Sequence, residues 1–351
     1  MRAQNVRRLL SGTALVAVVA GLTACTQSVP GVGSATSAPS TPGADSLQSA
    51  YVQTIRTVLP SVVLIRTSRD LGSGVVFDNK GNIVTNAHVA GSATTFQVTP
   101  SGTAKTLQAT LVGTFPPDDL AVIHVNDAAG LKPATFADSS KVAVGDIVLA
   151  MGNPLGLTSS VTNGIVSAVG RTVSEPASEG SPGATLPDTI QTSAAINPGN
   201  SGGALVNLAD QVIGIPTLAA TDQQNGGAAP GIGFAISSNI VKDIAGQLVA
   251  NGKVTNSHRA ALGIRATTVA GPNGQPAGAG VVDVTPGGPA EKAGIEEGDV
   301  IVELDGTAVR DTDDLSAILA NLSPGQKTTA KVQRADGSTG NVSITLGTLP
   351  S

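Results

Sequence analysis

The hydrophobic positions of this 351-residue chain fall into many short runs broken by Gly, Pro, Asn and Asp. Residues 61–67, 74–77, 82–85, 120–125, 146–150, 164–169 and 211–215 each read as a strand. Short apolar runs set off by turn residues predict a sandwich or barrel rather than a βαβ sheet. Two helices interrupt the pattern. One spans 46–59 and is stopped by Pro60. The other spans 238–251, with Ser237 or Ser238 as N-cap and Gly252 just past its end. After a linker near 255–259 a second β-rich unit begins, with strands expected at 280–284, 299–304, 327–333 and 341–346. Its helix is expected at 312–322, where Asp313 and Asp314 suit the positive end of a helix. No repeat of about 20–50 residues is present, which argues against a solenoid.

The start of the chain departs from this pattern. Arg2, Arg7 and Arg8 precede an apolar stretch at 9–22, shorter than the ~20 residues a membrane-spanning helix needs. It reads as the hydrophobic part of a secretory signal and ends in Leu22-Thr23-Ala24-Cys25. That tetrad resembles a bacterial lipobox, in which the Cys is lipid-modified and the chain is cut just before it. The other reading is an ordinary signal peptide with an incidental Cys. The next twenty residues, 26–45, are rich in Ser, Thr, Pro, Gly and Ala and read as a flexible tether. The expected organisation is a leader at 1–24, a tether at 25–46, a body at 47–252, a linker at 253–259 and a second unit at 260–349.

Composition narrows the function. With 40% hydrophobic residues a sizeable core can be buried, and with only 2% aromatics that core is aliphatic. The same scarcity argues against base stacking, and a net charge of −5 argues against a phosphate-binding surface, so nucleic acid is not an expected partner. Cys25 is the one cysteine, which excludes an internal disulfide and a Cys-based zinc site.

Three segments carry candidate chemistry. Thr85-Asn86-Ala87-His88-Val89 places one of three histidines where a strand breaks into a turn. His124 lies inside an alternating strand and reads as structural, and His258 lies in the linker and reads as solvated. Pro117-Asp118-Asp119-Leu120 sets an acidic pair at the start of an apolar strand, ordinary turn chemistry unless one carboxylate is drawn inward to hold an imidazole. Asn197-Pro198-Gly199-Asn200-Ser201-Gly202-Gly203 surrounds one serine with glycines. Such a loop is either a plain turn or a backbone whose N–H groups converge on a developing oxyanion.

In the order His, Asp, Ser these segments match the chain order of chymotrypsin-type proteases. Together with Gly72-Ser73-Gly74-Val75-Val76, the run from Val144 to Pro154, Gly164-Ile165-Val166-Ser167 and Gly231-Ile232-Gly233-Phe234-Ala235-Ile236, they resemble the HtrA/Deg serine proteases over about 47–346. The resemblance implies a mainly β protein, a chymotrypsin-like double β-barrel followed by a PDZ domain. It implies His88 as general base, Asp119 as its orienting acid, Ser201 as nucleophile, and an oxyanion loop of Gly199, Asn200 and Ser201. No cofactor or metal is implied. Ile196, Ala219 and Ile232 would line an apolar substrate pocket beside Thr217, whose position in the family can also hold the triad acid. Two departures stand out: Ser193 where the family commonly has Asp, and Pro216 in place of Asn in the strand that pairs with substrate.

The second unit resembles a bacterial PDZ domain. Leu262, Gly263 and Ile264 would cradle a peptide carboxylate, and Leu315 and Leu319 would wall a groove that takes an extended peptide as an added strand. The resemblance further implies an endopeptidase of envelope protein quality control. It would act on unfolded or misfolded proteins and bind peptides with hydrophobic C-termini. It would work as a homotrimer held to a membrane through lipid on Cys25. The competing class is a non-catalytic binder or chaperone on the same fold.

Overall fold

The computed structural model describes residues 42–350 except 69, 154–159, 176–182, 198 and 223–226; of 42, 44, 175, 218–222 and 227–230 only the backbone is described. The expected leader and tether up to residue 41, with Cys25, lie outside the described residues. Helix α1 (Pro42–Val58) starts four residues earlier than expected, so the end of the expected tether is helical. A short 3-10 turn, Leu59–Ser61, carries the chain across Pro60.

Strands β1 (Val62–Arg66), β2 (Leu71–Val76), β3 (Asn82–Thr85), β4 (Thr95–Pro100), β5 (Leu107–Phe115) and β6 (Leu120–Val125) close into a barrel in the order β1-β2-β3-β6-β5-β4. A second barrel follows from β7 (Ile147–Gly152), β8 (Ser160–Glu175), β9 (Ala184–Thr192), β10 (Ala204–Asn207), β11 (Val212–Asp222) and β12 (Gly227–Ser237), in the order β10-β11-β12-β9-β8-β7. The apolar runs are nearly continuous because their strands are buried on both faces. Side chains alternate along a strand, so Ala121, Ile123 and Val125 fill the first barrel while Leu120 and Val122 face the seam between barrels. In β7 the same alternation sends Val148 and Ala150 into the second barrel and Leu149 and Met151 into the seam. Helix α3 (Ser238–Asn251), with its expected bounds, adds Val241, Ile244 and Leu248 to that seam. Gly252 in the left-handed conformation ends it.

The pattern missed β4, β5, β9, β10 and β12. In β9 and β12, Pro and Gly lower strand propensity, and pairing on both sides within a closed barrel overrides it. Pro216 sits at a register shift of β11, where the ladder is already broken.

The third unit contains β13 (Ala260–Ala261), β14 (Ile264–Ala270), β15 (Pro276–Val284), α4 (Pro289–Lys292), β16 (Val300–Leu304), β17 (Thr307–Ala308), α5 (Thr312–Ala320), β18 (Lys327–Gln333), β19 (Thr339–Thr345) and β20 (Gly347–Thr348). Its sheet runs β14-β15-β16-β18-β19, so β14 is an edge strand. The N-cap of α5 is Asp311, which accepts from the Asp314 N–H, and Asp313 and Asp314 lie in the first turn as expected. Helix α5 packs against β8 and β9, and Thr172 Oγ1 donates to Asn321 Oδ1 across that contact at 3.0 Å. The linker is held rather than loose. Gln247 accepts from the N–H groups of Thr255 and Asn256, and Val254 and Ser257 are buried.

Candidate active site

The seam between the barrels gathers the candidate residues. His88 lies on the single turn α2 (Ala87–Ala90) that follows β3. Asn86 is the N-cap of this turn, yet its side chain makes no capping bond. The capping comes from Asp119, the residue just before β6. The Asp119 carbonyl accepts from Ala87 N–H and from Asn86 Nδ2, both at 3.0 Å, and Asp119 Oδ1 accepts from His88 N–H at 2.9 Å. Donors of the first helical turn have no partner within their own helix, so Asp119 satisfies two of them from outside, Ala87 N–H with its carbonyl and His88 N–H with its carboxylate. Its other oxygen, Oδ2, stands 2.8 Å from His88 Nδ1 and accepts from Thr217 Oγ1 at 2.5 Å. Asp119 adopts the left-handed conformation, φ 49° and ψ 41°, which Asp tolerates better than most residues. It is 3% exposed, whereas the His88 side chain is 24% exposed. The acid is thus sequestered and the imidazole stays partly open to solvent. With Nδ1 committed to Asp119, Nε2 is the nitrogen that can serve a reacting hydroxyl.

Ser201 approaches from the second barrel, between β9 and β10. Its hydroxyl donates to the Thr217 carbonyl at 3.3 Å. Around it, Asn200 N–H donates to Asn197 O, Gly203 N–H to Asn200 O and Gly202 N–H to Pro216 O. Gly199 holds a φ of +100°, which favours glycine. Gly202 is needed for space as well, since a Cβ there would lie 2.2 Å from the Ser73 carbonyl oxygen.

Asp118 and Asp119 separate cleanly. Asp118 turns away and pairs with Arg259 of the linker at 2.8 Å, and the same guanidinium donates to the Pro117 carbonyl. Burial pushes the Asp118 carboxyl up to about 6 despite the attraction of Arg259. His124 lies in β6 with Nδ1 3.1 Å from Asn82 Oδ1, and His258 is largely exposed, 3.6 Å from Asp243. Among the described residues no three His, Cys, Asp or Glu side chains cluster as metal ligands would.

The expected pocket is only partly assembled from the named residues. Ile196 is buried in the core of the second barrel and presses on Gly233, where a Cβ would meet it at 2.4 Å. Ile232, next to it, is exposed. Thr217 is buried with its hydroxyl turned to Asp119. The side chain of Ala219 lies outside the described residues; its backbone pairs with Gly233. Ser193 Oγ accepts from Ile165 N–H.

In the third unit, the side chains of Leu262 and Leu315 lie in the core. Both are buried in its apolar cluster, Leu315 because its face of α5 is the one turned to the sheet. Leu319, half-buried, packs against that cluster and also lines a cleft between α5 and the barrels with Pro117, Thr185, Arg259 and Ser316. The loop backbone does offer donors. Gly263 O accepts from Thr285 N–H, which makes Gly263 and Thr285 the bonded pair of an antiparallel ladder. The next pair, Ile264 and Val284, is then the non-bonded one, and the Ile264 backbone groups face the open edge of β14. Sequence reasoning overlooked Asn86, Asn153, Arg259 and the hydroxyl of Ser73, since each acts by holding another residue, a role that no local pattern marks.

Comparison with known proteins agrees with this geometry. The trypsin-like peptidase domain family matches residues 72–215 and the PDZ domain family matches 260–346. The chain is 36% identical to the serine protease PepD of Mycobacterium tuberculosis over 336 residues, covering 89% of this chain and 69% of that protein. It is 42% identical to the periplasmic serine endoprotease DegP of Escherichia coli over 287 residues, 79% of this chain and 56% of the relative. Among solved structures, a serine endoprotease from Yersinia pestis superposes with a TM-score of 0.57 at 34% identity, covering 85% of this chain and 98% of the other. The HtrA-type protease AlgW with a decapeptide does so with a TM-score of 0.56 at 30% identity, covering 86% and 99%. With two β-barrels meeting at this seam, a PDZ domain behind them and relatives of this similarity, the chain belongs to the HtrA family of serine endopeptidases.

Proposed function

We propose that His88, Asp119 and Ser201 are the catalytic triad of this endopeptidase. The observation that carries the reading is the double grip of Asp119 on His88, at Nδ1 and at the backbone N–H, in the seam that also holds the Ser201 loop. His88 Nε2 takes the Ser201 proton as Oγ attacks the scissile carbonyl carbon, then gives it to the leaving amine; water repeats the sequence to release the acyl group. Asp119 fixes the tautomer and stabilises the imidazolium. Gly199, Asn200 and Ser201 form the oxyanion loop, with the N–H groups of Gly199 and Ser201 as donors. The walls at Ile196, Ala219 and Ile232 carry no acid, which favours small or medium apolar side chains over Lys or Arg at the cleaved position. A fluorophosphonate probe tests the triad: it labels the chain from residue 26 and spares Ser201→Ala. No labelling of the parent, together with no cleavage of casein, would leave the non-catalytic binder as the reading.

The remaining assignments belong to the same proposal. The protease domain occupies 47–252 and the PDZ domain 260–349. The protein works outside the cytoplasm on unfolded or misfolded proteins, which expose the extended apolar segments that suit both the cleft and the β14 edge. The periplasmic relatives support the location. The signal-like stretch at 9–22 and the Leu22-Thr23-Ala24-Cys25 tetrad support a lipid anchor on Cys25. Cys25→Ala is expected to release the protein from the membrane fraction or stop its maturation; unchanged processing and membrane association argue against the anchor. A homotrimer is the expected assembly, and sedimentation as a monomer at working concentration removes it.

A further inference from the structure

Ser73 is a polar residue with no accessible surface, in the middle of β2, on a strand of the first barrel. A buried hydroxyl must find partners to offset its desolvation, and the partners found here all bear on the second barrel. Ser73 Oγ donates to the Gly199 carbonyl at 2.5 Å and accepts from Asn153 N–H at 2.8 Å. The Ser73 backbone N–H donates to the Ser201 carbonyl at 2.9 Å, and its own carbonyl accepts from Thr85 Oγ1 at 2.7 Å. One residue therefore binds both sides of the candidate nucleophile.

The consequence follows from peptide planarity. In a trans peptide the C=O and the following N–H point in opposite directions. The Gly199–Asn200 peptide is held at both ends, its C=O by Ser73 Oγ and its N–H by Asn197 O. The Ser201–Gly202 peptide is held likewise, by Ser73 N–H and by Pro216 O. The intervening Asn200 C=O is taken by Gly203 N–H, which turns the Ser201 N–H the other way. Glycine at 199 has no steric preference to keep this arrangement, so the loop needs an external clamp.

We propose that Ser73 is a positioning residue for the reaction: its hydroxyl clamps the Gly199 carbonyl and so fixes the peptide that joins the two backbone donors, Gly199 N–H and Ser201 N–H, offered to the substrate's developing oxyanion. This rests on the reading of Ser201 as nucleophile. Clamping from another barrel also makes oxyanion geometry depend on how the two barrels meet.

The test is Ser73→Ala in the chain from residue 26, beside the parent and Ser201→Ala. Preorganised donors act mainly in the transition state. Ser73→Ala is therefore expected to lower kcat about tenfold to hundredfold with KM within about twofold. Inhibition by a peptidyl boronate, whose tetrahedral adduct occupies the oxyanion site, weakens by a similar factor. Ser73→Cys, somewhat larger, keeps a weak donor and restores part of kcat. Unchanged kcat, or a fall in kcat with undiminished boronate affinity, overturns the proposal. So does loss of the folded circular-dichroism spectrum in both variants, which assigns Ser73 to stability alone. Failure of the parent to label with fluorophosphonate sinks the triad reading itself. Labelling of the parent but not of Ser201→Ala, with Ser73→Ala as active as the parent, sinks only the role of Ser73.

Discussion

Asp119 combines several functions in one residue, and its neighbours show which interaction is separable. Its carbonyl and Oδ1 serve the backbone and side chain of the α2 turn, while Oδ2 is shared by His88 Nδ1 and Thr217 Oγ1. Thr217→Val removes only the last of these, with little change in volume. A buried carboxylate that loses a donor is destabilised by about 1–3 kcal/mol, and the imidazole loses part of its orientation. The expected result is a fall in kcat/KM of about tenfold, with the protein still folded, measured on a chromogenic peptide and by thermal melting. A variant as active as the parent would show that Thr217 only fills space.

Among the elements, the turn before β6 carries two adjacent acids with opposite fates. Asp119 is drawn into the barrel seam. Asp118 is buried against Arg259, whose side chain is 10% exposed, with Asp243 adding repulsion. A buried pair of this kind is weak evidence for stability, because desolvation competes with the attraction. Here desolvation wins, and the carboxyl rises from 3.8 to about 6. An acid raised in the folded state stabilises it fully below the unfolded value and loses that contribution as pH rises through the folded one. The parent should therefore lose about 2 kcal/mol relative to Asp118→Asn between about pH 4 and about pH 8. Denaturant titrations of both proteins across that range give the difference, and parallel profiles would contradict it. The difference is the informative quantity, since the cost of leaving Arg259 without its anion enters the variant at every pH.

At the scale of the molecule, the protease barrels and the PDZ domain meet through α5 on β8 and β9 and through Arg259 on the turn of Pro117 and Asp118. The open edge of β14 still has backbone groups to pair with an extended peptide. Thr312 N–H and Oγ1 meet Thr268 Oγ1, so the N-terminus of α5 is tied to that strand. Peptides with a free hydrophobic C-terminus are expected to bind the whole chain, and C-terminal amides to bind at least tenfold more weakly, because a charge-assisted bond to backbone N–H groups is lost. Isothermal calorimetry on Ser201→Ala, which cannot consume the peptide, reads this directly. Equal affinities would remove the carboxylate-binding role of Leu262, Gly263 and Ile264.

Much of this protein is local information. The alternating and doubly buried runs gave β6 and the helix at α3 their bounds, because side-chain period and capping residues act within a few positions. The glycine-framed Ser201, the histidine at a strand end and the acid before Leu120 were likewise visible as residue types in an order. Tertiary structure alone decided the rest. Strand β12, poor in intrinsic propensity, exists because β9 and β11 flank it. Leu315 went to the core because the sheet lies under that face of α5. That Asp118 is taken up by Arg259 of the linker, and that Ser73 clamps a loop 126 residues away in the other barrel, depend on long-range contacts that no local pattern encodes.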